Sequence, residues 1–164
     1  MPTDAPAPPD SPSETGADGA ARHQLTRHFE RVAQALLRMS AQILSVCPEL
    51  RDEHGCHCRR HHNPRCASRL VETLAEVVRT CERHLEHEQA LLRANGLHTL
   101  QPGLWWQHLR DHADFMCHLH RIADAVEHVP TPQSMAEVLA LFDQFWLEHC
   151  HARHPADLEV VRGR

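Results

Sequence analysis

The stretch GLWWQHLRDHADFMCHLHRIADAVEHV, residues 103–129, decides the fold of this chain. Its apolar residues and two of its histidines recur at alternating intervals of three and four, which places them on one face of an α-helix. The residues of this stripe are Trp105, His108, His112, Phe115, Leu119, Ile122 and Val126. The pattern predicts a long helix that turns one face, with both histidines, toward a core.

Three further segments show the same spacing and are separated by residues that stop helices. One runs from about Arg22 to Ser45, ahead of Pro48, and another from about Ser68 to Asn95, ahead of Gly96. The last begins at Thr131, a good N-cap residue. Their stripes are Leu25, Phe29, Val32, Leu36, Met39 and Ile43; Leu70, Leu74, Val77, Cys81, His84 and Glu88; and Met135, Val138, Phe142, Phe145 and His149.

Four amphipathic helices with mostly short connections predict an all-α fold, an antiparallel up-down-up-down four-helix bundle. We expect the bundle to span residues 21–158, with Pro155 bending or ending its last helix. Residues 1–20 are rich in Pro, Ser, Asp and Ala and predict a disordered N-terminal tail. Residues 159–164 are expected to form a short C-terminal tail.

Composition narrows the function classes. The net charge of −5 argues against a nucleic-acid partner, and no apolar stretch is long enough to span a membrane. The first residues lack the features of a signal peptide, so we expect a cytoplasmic location. Seventeen histidines and seven cysteines in such a chain favour metal or redox chemistry over a disulfide framework.

Polar residues interrupt the predicted stripes at one level of the bundle. Counted from the shared turns at about 1.5 Å per residue, they lie level within roughly one helical turn. Two pairs among them are spaced by four residues and therefore share a helix face. A buried carboxylate and buried imidazoles are costly without partners, and a bound metal cation would remove much of that cost. The residues on the stripes are His84, Glu88, His108, His112 and His149, and His28 at the same level flanks the first stripe. His23 is a possible substitute for His28, but it lies more than one turn from the required level.

Three segments carry a resemblance to the hemerythrin family. HLEHEQALL (84–92) is similar to the family's His-Phe-x-x-Glu-Glu-x-x-Met segment, and HLRDHADF (108–115) matches His-x-x-x-His-x-x-Phe. WLEHCHARH (146–154) resembles Trp-Leu-x-x-His-Ile-x-x-x-Asp. The resemblance covers about residues 22–158, nearly everything beyond the predicted tail.

The resemblance implies a non-haem di-iron centre that binds dioxygen or another small diatomic ligand, for oxygen carriage, storage or sensing. Reversible binding needs no general base, so no enzymatic activity is expected, and a sensor would need a separate protein partner. The apolar wall that excludes water would include Phe29, Val32, Phe115 and Phe145. The implied ligands are His108, His112 and His149 for one iron and His28 and His84 for the other, with Glu88 as the bridge.

The chain departs from the family at His154, where the resemblance predicts a second bridging Asp. A neutral imidazole has one free lone pair and cannot bridge two ions as a carboxylate does. Three outcomes are open: His154 binds a single metal ion, a hydroxide replaces the bridge, or Asp157 reaches the site. Asp157 lies about 12 Å beyond His149 along a regular helix, so the third outcome requires distortion of that helix.

The insertion CPELRDEHGCHCRRHHNPRC (47–66) stands between the first two predicted helices. Its four cysteines, among several histidines, could form a tetrahedral zinc site, although Cys-x-Cys is not the usual zinc-knuckle spacing. The other interpretation is a solvated, arginine-rich loop. The candidate zinc ligands are Cys47, Cys56, Cys58 and Cys66.

Three other functions stay open at this stage. A di-iron redox protein would handle nitric oxide or peroxide, or donate iron, with the cysteine insertion as its redox partner. A zinc-binding regulatory bundle would need no redox chemistry. The last alternative is a structural bundle whose histidines bind no metal.

Overall fold

The structure, a computed structural model, describes residues 15–46, 64–128 and 132–162 and is helical over nearly all of them. Within these ranges no residue belongs to a β-strand, which confirms the predicted all-α class. None of the described helices is long and apolar enough to cross a membrane. The helices are α1 (Thr15–Val46), α2 (Pro64–Ala94), the single-turn α3 (Leu97–Leu100), α4 (Pro102–His128), α5 (Pro132–Phe145), a π-helix (Trp146–Arg153) and α6 (His154–Arg162).

The connection between α2 and α4 shows how the sequence ends one helix and begins the next. Gly96 has a φ of 80°, in the left-handed region that favours glycine, and its N–H donates to the carbonyl of Arg93 at 3.0 Å. The helix α4 then begins at Pro102, where the missing N–H of proline costs nothing. The predicted helix stop at Gly96 is confirmed.

The predicted stripes form the interior of the molecule. Every stripe residue predicted for α1, α4 and α5 is buried, as is every one in α2 except the half-buried His84. The buried apolar residues form two clusters, a larger one around Leu74, Leu119 and Phe142 and a smaller one around Leu92. Along α2 and α4, the buried Glu88, His108 and His112 come between members of these two clusters, whereas His28 of α1 lies between Leu25 and Phe29 of the smaller cluster.

The order of neighbours follows the chain. The helix α1 packs against α2, α2 against α4, and α4 against α5. Both the π-helix and α6 contact α1, so the last helical segments return to the first. The four-helix bundle and its up-down order stay predictions.

Three helices extend into segments that the sequence analysis assigned to the tails and the insertion. The helix α1 begins at Thr15 instead of near Arg22, and so includes Gly16 and Gly19, residues that are poor helix formers. Likewise α2 begins at Pro64, inside the predicted insertion, and α6 continues to Arg162, inside the predicted C-terminal tail.

Several predictions fall outside the described residues. Residues 1–14 make up most of the predicted disordered tail, and residues 47–63 hold three of the four candidate zinc ligands. The predicted N-cap Thr131 is outside them as well. The tail, the zinc site and the cap therefore stay predictions.

The last predicted helix leaves α geometry before Pro155 and not at it. In the π-helix Trp146–Arg153, the N–H of His154 donates to the carbonyl of His149, five residues back. Pro155 then lies in the first turn of α6, where a missing N–H is tolerated. The expected bend or end at Pro155 is thus replaced by a change of helix type that precedes it.

Candidate metal centre

Four buried side chains converge in the middle of the molecule from three helical elements. Glu88 comes from α2, His108 and His112 from α4, and His149 from the π-helix, and their potential ligand atoms lie within 4.8 Å of one another. None of the four residues is more than 2% exposed. A carboxylate with three imidazoles is a donor set that zinc, iron and similar ions bind. This cluster could therefore hold a metal ion.

One oxygen of Glu88 is surrounded by imidazole nitrogens. A carboxylate oxygen offers about two lone pairs, so Oε1 cannot accept a good hydrogen bond from all of them. The Nε2 atoms of His112 and His149 are also 3.0 Å apart, where at most one proton fits between them. A cation among these atoms would engage all of them at once. The distances from Oε1 to Nε2 are 3.0 Å for His154, 3.2 Å for His149, 3.2 Å for His108 and 3.4 Å for His112.

The other oxygen of Glu88 faces His28 of α1. The distance from Oε2 to Nε2 of His28 is 3.9 Å, and both atoms are buried without a hydrogen-bond partner. A buried polar atom without a partner costs about 1–3 kcal/mol. We call the space between these two atoms, on the side of Glu88 opposite the four imidazoles, the second position.

His84 and His87 lie at the edge of this second position. His84 is half-buried, and its ring centroid is 6.2 Å from that of His28. The exposed His87 makes an edge contact with the His28 ring at 4.6 Å between centroids. The second position thus has fewer buried ligand atoms than the first.

Each histidine of the four-residue cluster has a polar side chain from another element beside its second ring nitrogen. Ligating histidines generally have such a partner, which fixes the orientation of the ring and the position of its proton. The Asp157 partner is itself completely buried. The Nδ1 contacts are His108 with Asp157 Oδ2 at 3.0 Å, His112 with Gln89 Nε2 at 2.9 Å, and His149 with Asp111 Oδ2 at 3.7 Å.

The π-helix explains how two residues five apart reach one site. In a regular α-helix, positions five apart point roughly 140° away from each other. The wider turn of a π-helix brings them to the same side, and both His149 and His154 contact Glu88 Oε1. Aromatic rings hold these imidazoles in place: Phe29 stacks on His154 at 3.7 Å between centroids, and Phe145 on His149 at 4.5 Å.

Burial and contacts with charged neighbours have opposite effects on the pKa values of the histidines and of Glu88. Burial lowers the pKa of His28 and of His112 to about 4, so both imidazoles are neutral. Burial also acts on His108, but its contacts with Asp157 and Glu88 outweigh it and raise the pKa to about 9. Burial alone would raise the pKa of Glu88, yet the surrounding imidazoles, His154 first among them, hold it well below its ordinary value. The metal-free site thus contains an ionised carboxylate.

The seven residues predicted as metal ligands lie at different distances from the two oxygens of Glu88. Five of them meet at Glu88 Oε1, His28 lies at Oε2, and His84 stays at the margin. His154 is 3% exposed and joins the histidine group, as the first of the three open outcomes requires. Asp157 does reach the site, through the distorted helix that the third outcome requires, but its contact is with the ring of His108. Whether each residue ligates a metal stays a prediction.

The sequence reasoning missed Gln89 and Asp111. Both adjoin a predicted ligand in sequence, but each contacts an imidazole of a different element. Asp111 also accepts a hydrogen bond from Arg153 Nε at 3.1 Å, which ties α4 to the π-helix. The sequence did contain a signal for both residues, because each is a carboxylate or amide next to a predicted ligand. Such a side chain can contact the second ring nitrogen of an imidazole on a neighbouring helix.

A small apolar cavity of about 10 Å³ adjoins His84. Its lining includes Val32, Met39, Cys81 and Phe115. That volume corresponds to about one water-sized sphere, and an apolar lining of this kind stays dry. The cavity therefore suits a small neutral molecule better than an ion.

Together these features define an all-helical protein with a buried histidine and carboxylate cluster that could hold a metal ion. No protein-family profile, curated protein or solved structure matches this chain. Its likeness to hemerythrins therefore rests on the three sequence segments.

Proposed function

We propose that the chain is a hemerythrin-like, non-haem di-iron protein that binds dioxygen, for carriage, storage or sensing, inside an antiparallel four-helix bundle. The observation that carries this proposal is the position of Glu88. Its Oε1 lies among four imidazole nitrogens, and its Oε2 faces the unpartnered Nε2 of His28. A carboxylate placed between two groups of nitrogen ligands is suited to bridge two cations.

The surrounding residues fit this chemistry. Iron(II), when bound, would supply the open coordination position and the electrons that dioxygen requires. Glu88 and the imidazoles around it hold ligand atoms inside the protein, and Gln89 and Asp157 contact the second ring nitrogens of His112 and His108 at hydrogen-bond distance. The proposed ligands are His108, His112, His149 and His154 on one side of Glu88, and His28 and His84 on the other.

The apolar surroundings would keep water away from a bound ligand. Phe29 and Phe145 cover two of the imidazoles, and Phe145 also lines the small apolar cavity beside His84. Excluding water protects a bound diatomic molecule from protonation and release. Binding would then be reversible, and no substrate pocket or general base is needed.

A zinc-binding regulatory bundle is the second candidate. The observation in its favour is that Glu88, His108, His112 and His149 could by themselves fill the four positions of a structural zinc site. The redox alternative depends on the cysteine insertion, most of which lies outside the described residues. The burial that raises the pKa of Cys81 to about 12 keeps that thiol protonated and weakly nucleophilic.

Iron loading under anaerobic conditions tests the proposal. The full chain would be supplied with iron(II), the metal counted, and the visible spectrum recorded while oxygen is admitted and removed. We expect two irons per chain and an absorption band that appears with oxygen and disappears under argon. His149→Ala should abolish the band, whereas His151→Ala, an exposed residue of the same π-helix, should not.

Two results would contradict dioxygen binding. Irreversible oxidation of the iron on first exposure to air would favour the redox alternative. A colourless protein that selects zinc over iron, with one ion per chain, would favour the regulatory bundle.

A further inference from the structure

The environment of His154 makes the two sides of Glu88 unequal. His154 occupies the place where the family resemblance predicts a bridging carboxylate, and its Nε2 lies 3.0 Å from Glu88 Oε1. No contact of the described residues places it against Oε2, the side that faces His28. The substitution thus adds a nitrogen to the already crowded side and adds nothing to the other.

The spacing of the atoms on the crowded side is that of ligands around a single ion. Ligands about 2.1 Å from one ion and roughly 90–110° apart are separated from each other by about 3.0–3.4 Å. The four distances from Oε1 to the imidazole nitrogens fall between 3.0 and 3.4 Å, and the Nε2 atoms of His112 and His149 are 3.0 Å apart. Four imidazoles and one carboxylate are thus arranged to enclose one cation.

The other side of Glu88 offers less to a second cation. His28 Nε2 is 3.9 Å from Oε2, and the further imidazoles beside His28 are those of the half-buried His84 and the exposed His87. A second divalent ion would also be repelled by the first. Only one carboxylate, Glu88, lies between the two positions, because His154 is an imidazole. The absence of this second negative charge lowers the cation affinity of the second position more than that of the first, because the first position has gained the His154 imidazole as a ligand.

From this arrangement we propose that the chain binds its two metal ions unequally. The first ion binds tightly to Glu88 Oε1 and the four imidazoles, with His154 as a ligand, and the second binds weakly at Oε2 and His28. This inference rests on the proposed metal function and refines it. The form with one ion per chain is then the main species at limiting metal.

The positions of Phe29 and of the π-helix support a ligand role for His154. The Phe29 ring stacks on the His154 imidazole with an interplanar angle of 10°, which fixes the ring so that Nε2 points at Glu88. A buried imidazole that served only to fill space would not need a helix distortion to reach the carboxylate. Both features orient His154 before any metal binds, so its ordering costs little on binding.

Anaerobic titration of the metal-free full chain with Co²⁺ tests the inference. The visible absorption of Co²⁺ reports its ligand number, and the intense near-ultraviolet absorption of cobalt thiolates separates any binding by the cysteines. We expect two steps, the first at least ~10-fold tighter than the second, since even indirect partners of ligands change affinity by that factor. The first step should give a spectrum of nitrogen and oxygen ligands.

Variants assign the two steps. His28→Ala should remove the second step and leave the first unchanged, and His154→Ala should weaken the first at least ~10-fold. His154→Asp restores a carboxylate and should bring the two affinities closer together. The matched control is His151→Ala, an exposed histidine of the same π-helix, which should change neither step. Circular dichroism of each metal-free variant verifies that the helices form.

The outcomes separate this inference from the proposed function. Two ions that bind with equal affinity would overturn the inference and leave the di-iron proposal intact. The same holds if His154→Ala leaves the first step unchanged, because His154 would then not be a ligand. Absence of Co²⁺ binding at the nitrogen and oxygen ligands would overturn both.

Discussion

Two regions of the molecule, α4 and the π-helix, each bring two imidazoles to Glu88, but by different geometry. In α4, His108 and His112 are four residues apart on the buried face of a regular helix. In the π-helix region, His149 and His154 are five residues apart and need a change of helix type. The comparison shows that a ligand pair follows from spacing where the helix is regular and from tertiary packing where it is not.

The largest expected effect comes from Glu88, the residue that the two regions share. Glu88→Gln removes the negative charge that four imidazoles surround, so we expect iron binding to fall below detection in a metal count after anaerobic loading. Glu86→Gln, an exposed position on the same helix, is the matched control and should bind iron as the unchanged chain does. Full iron content in Glu88→Gln would show that the metal binds elsewhere.

The stability of the metal-free protein should have a maximum near pH 6.5. The pKa of His28 and of His112 is lowered by burial to about 4, so the unfolded chain takes up protons below pH 6.5 that the folded chain does not. For His112 alone the free energy of unfolding then falls by roughly 1.4 kcal/mol per pH unit between 6.5 and 4. His108 acts in the opposite range: the contacts that outweigh its burial raise its pKa to about 9, and its stabilisation is lost as the pH rises from 6.5 through 9.

Urea unfolding of the metal-free chain, followed by helical circular dichroism at pH 5, 6.5 and 8.5, measures this dependence. His112→Gln should make the acidic limb less steep, with the contribution of His28 remaining, and should leave the alkaline limb unchanged, which separates the two causes. Equal stability at pH 5 and 6.5 in the unchanged chain would contradict the protonation states assigned to these buried imidazoles.

The link between α4 and α6 should matter for metal affinity. Asp157 holds Nδ1 of His108 at 3.0 Å, and loss of such a partner lowers metal affinity by about 10–100-fold. We expect the metal affinity of Asp157→Asn, measured in a competition titration with a chromophoric chelator, to be lower by a factor in this range. Glu159→Gln, an exposed position in the same helix, should have no effect. Unchanged affinity in Asp157→Asn would mean that the α4 pair is oriented without help from α6.

The smallest effect is expected from the ring that orients His154. Phe29→Leu keeps an apolar side chain but removes the stacking contact, which is worth about 0.5–1.5 kcal/mol. Phe142→Leu, in the apolar cluster away from the imidazoles, is a control of the same chemistry. The stabilisation of each variant by bound metal, measured by urea unfolding, should decrease for Phe29→Leu alone. If the stabilisation by metal decreased equally in Phe29→Leu and Phe142→Leu, Phe29 would contribute only apolar packing.

The same comparison defines what could be predicted from the sequence. The interior face of α4 was predictable residue by residue, because a regular helix without Gly or Pro beyond its first turn has one period. The buried places of Glu88 and His149 followed from the same rule. His84 was predicted with equal weight, but it is half-buried while Glu88, the next residue of the same stripe, is fully buried, a difference that periodicity does not encode.

The rest depends on contacts between distant parts of the chain. Spacing rules assume 3.6 residues per turn, so the inward turn of His154 and the approach of Asp157 require a distortion that the local pattern does not show. The partners Gln89 and Asp111 were likewise hidden, because each meets an imidazole of another element. Only the packing of α4 against its neighbours creates these pairs.

Diffraction from crystals of the iron-loaded chain at the iron absorption edge tests the central claim most directly. Anomalous scattering locates iron independently of any assumption about its ligands. The account predicts one strong peak among Glu88 Oε1 and the imidazoles of His108, His112 and His149, and a weaker peak between Glu88 Oε2 and His28. Iron found only at other residues, or no iron peak beside Glu88, would contradict it.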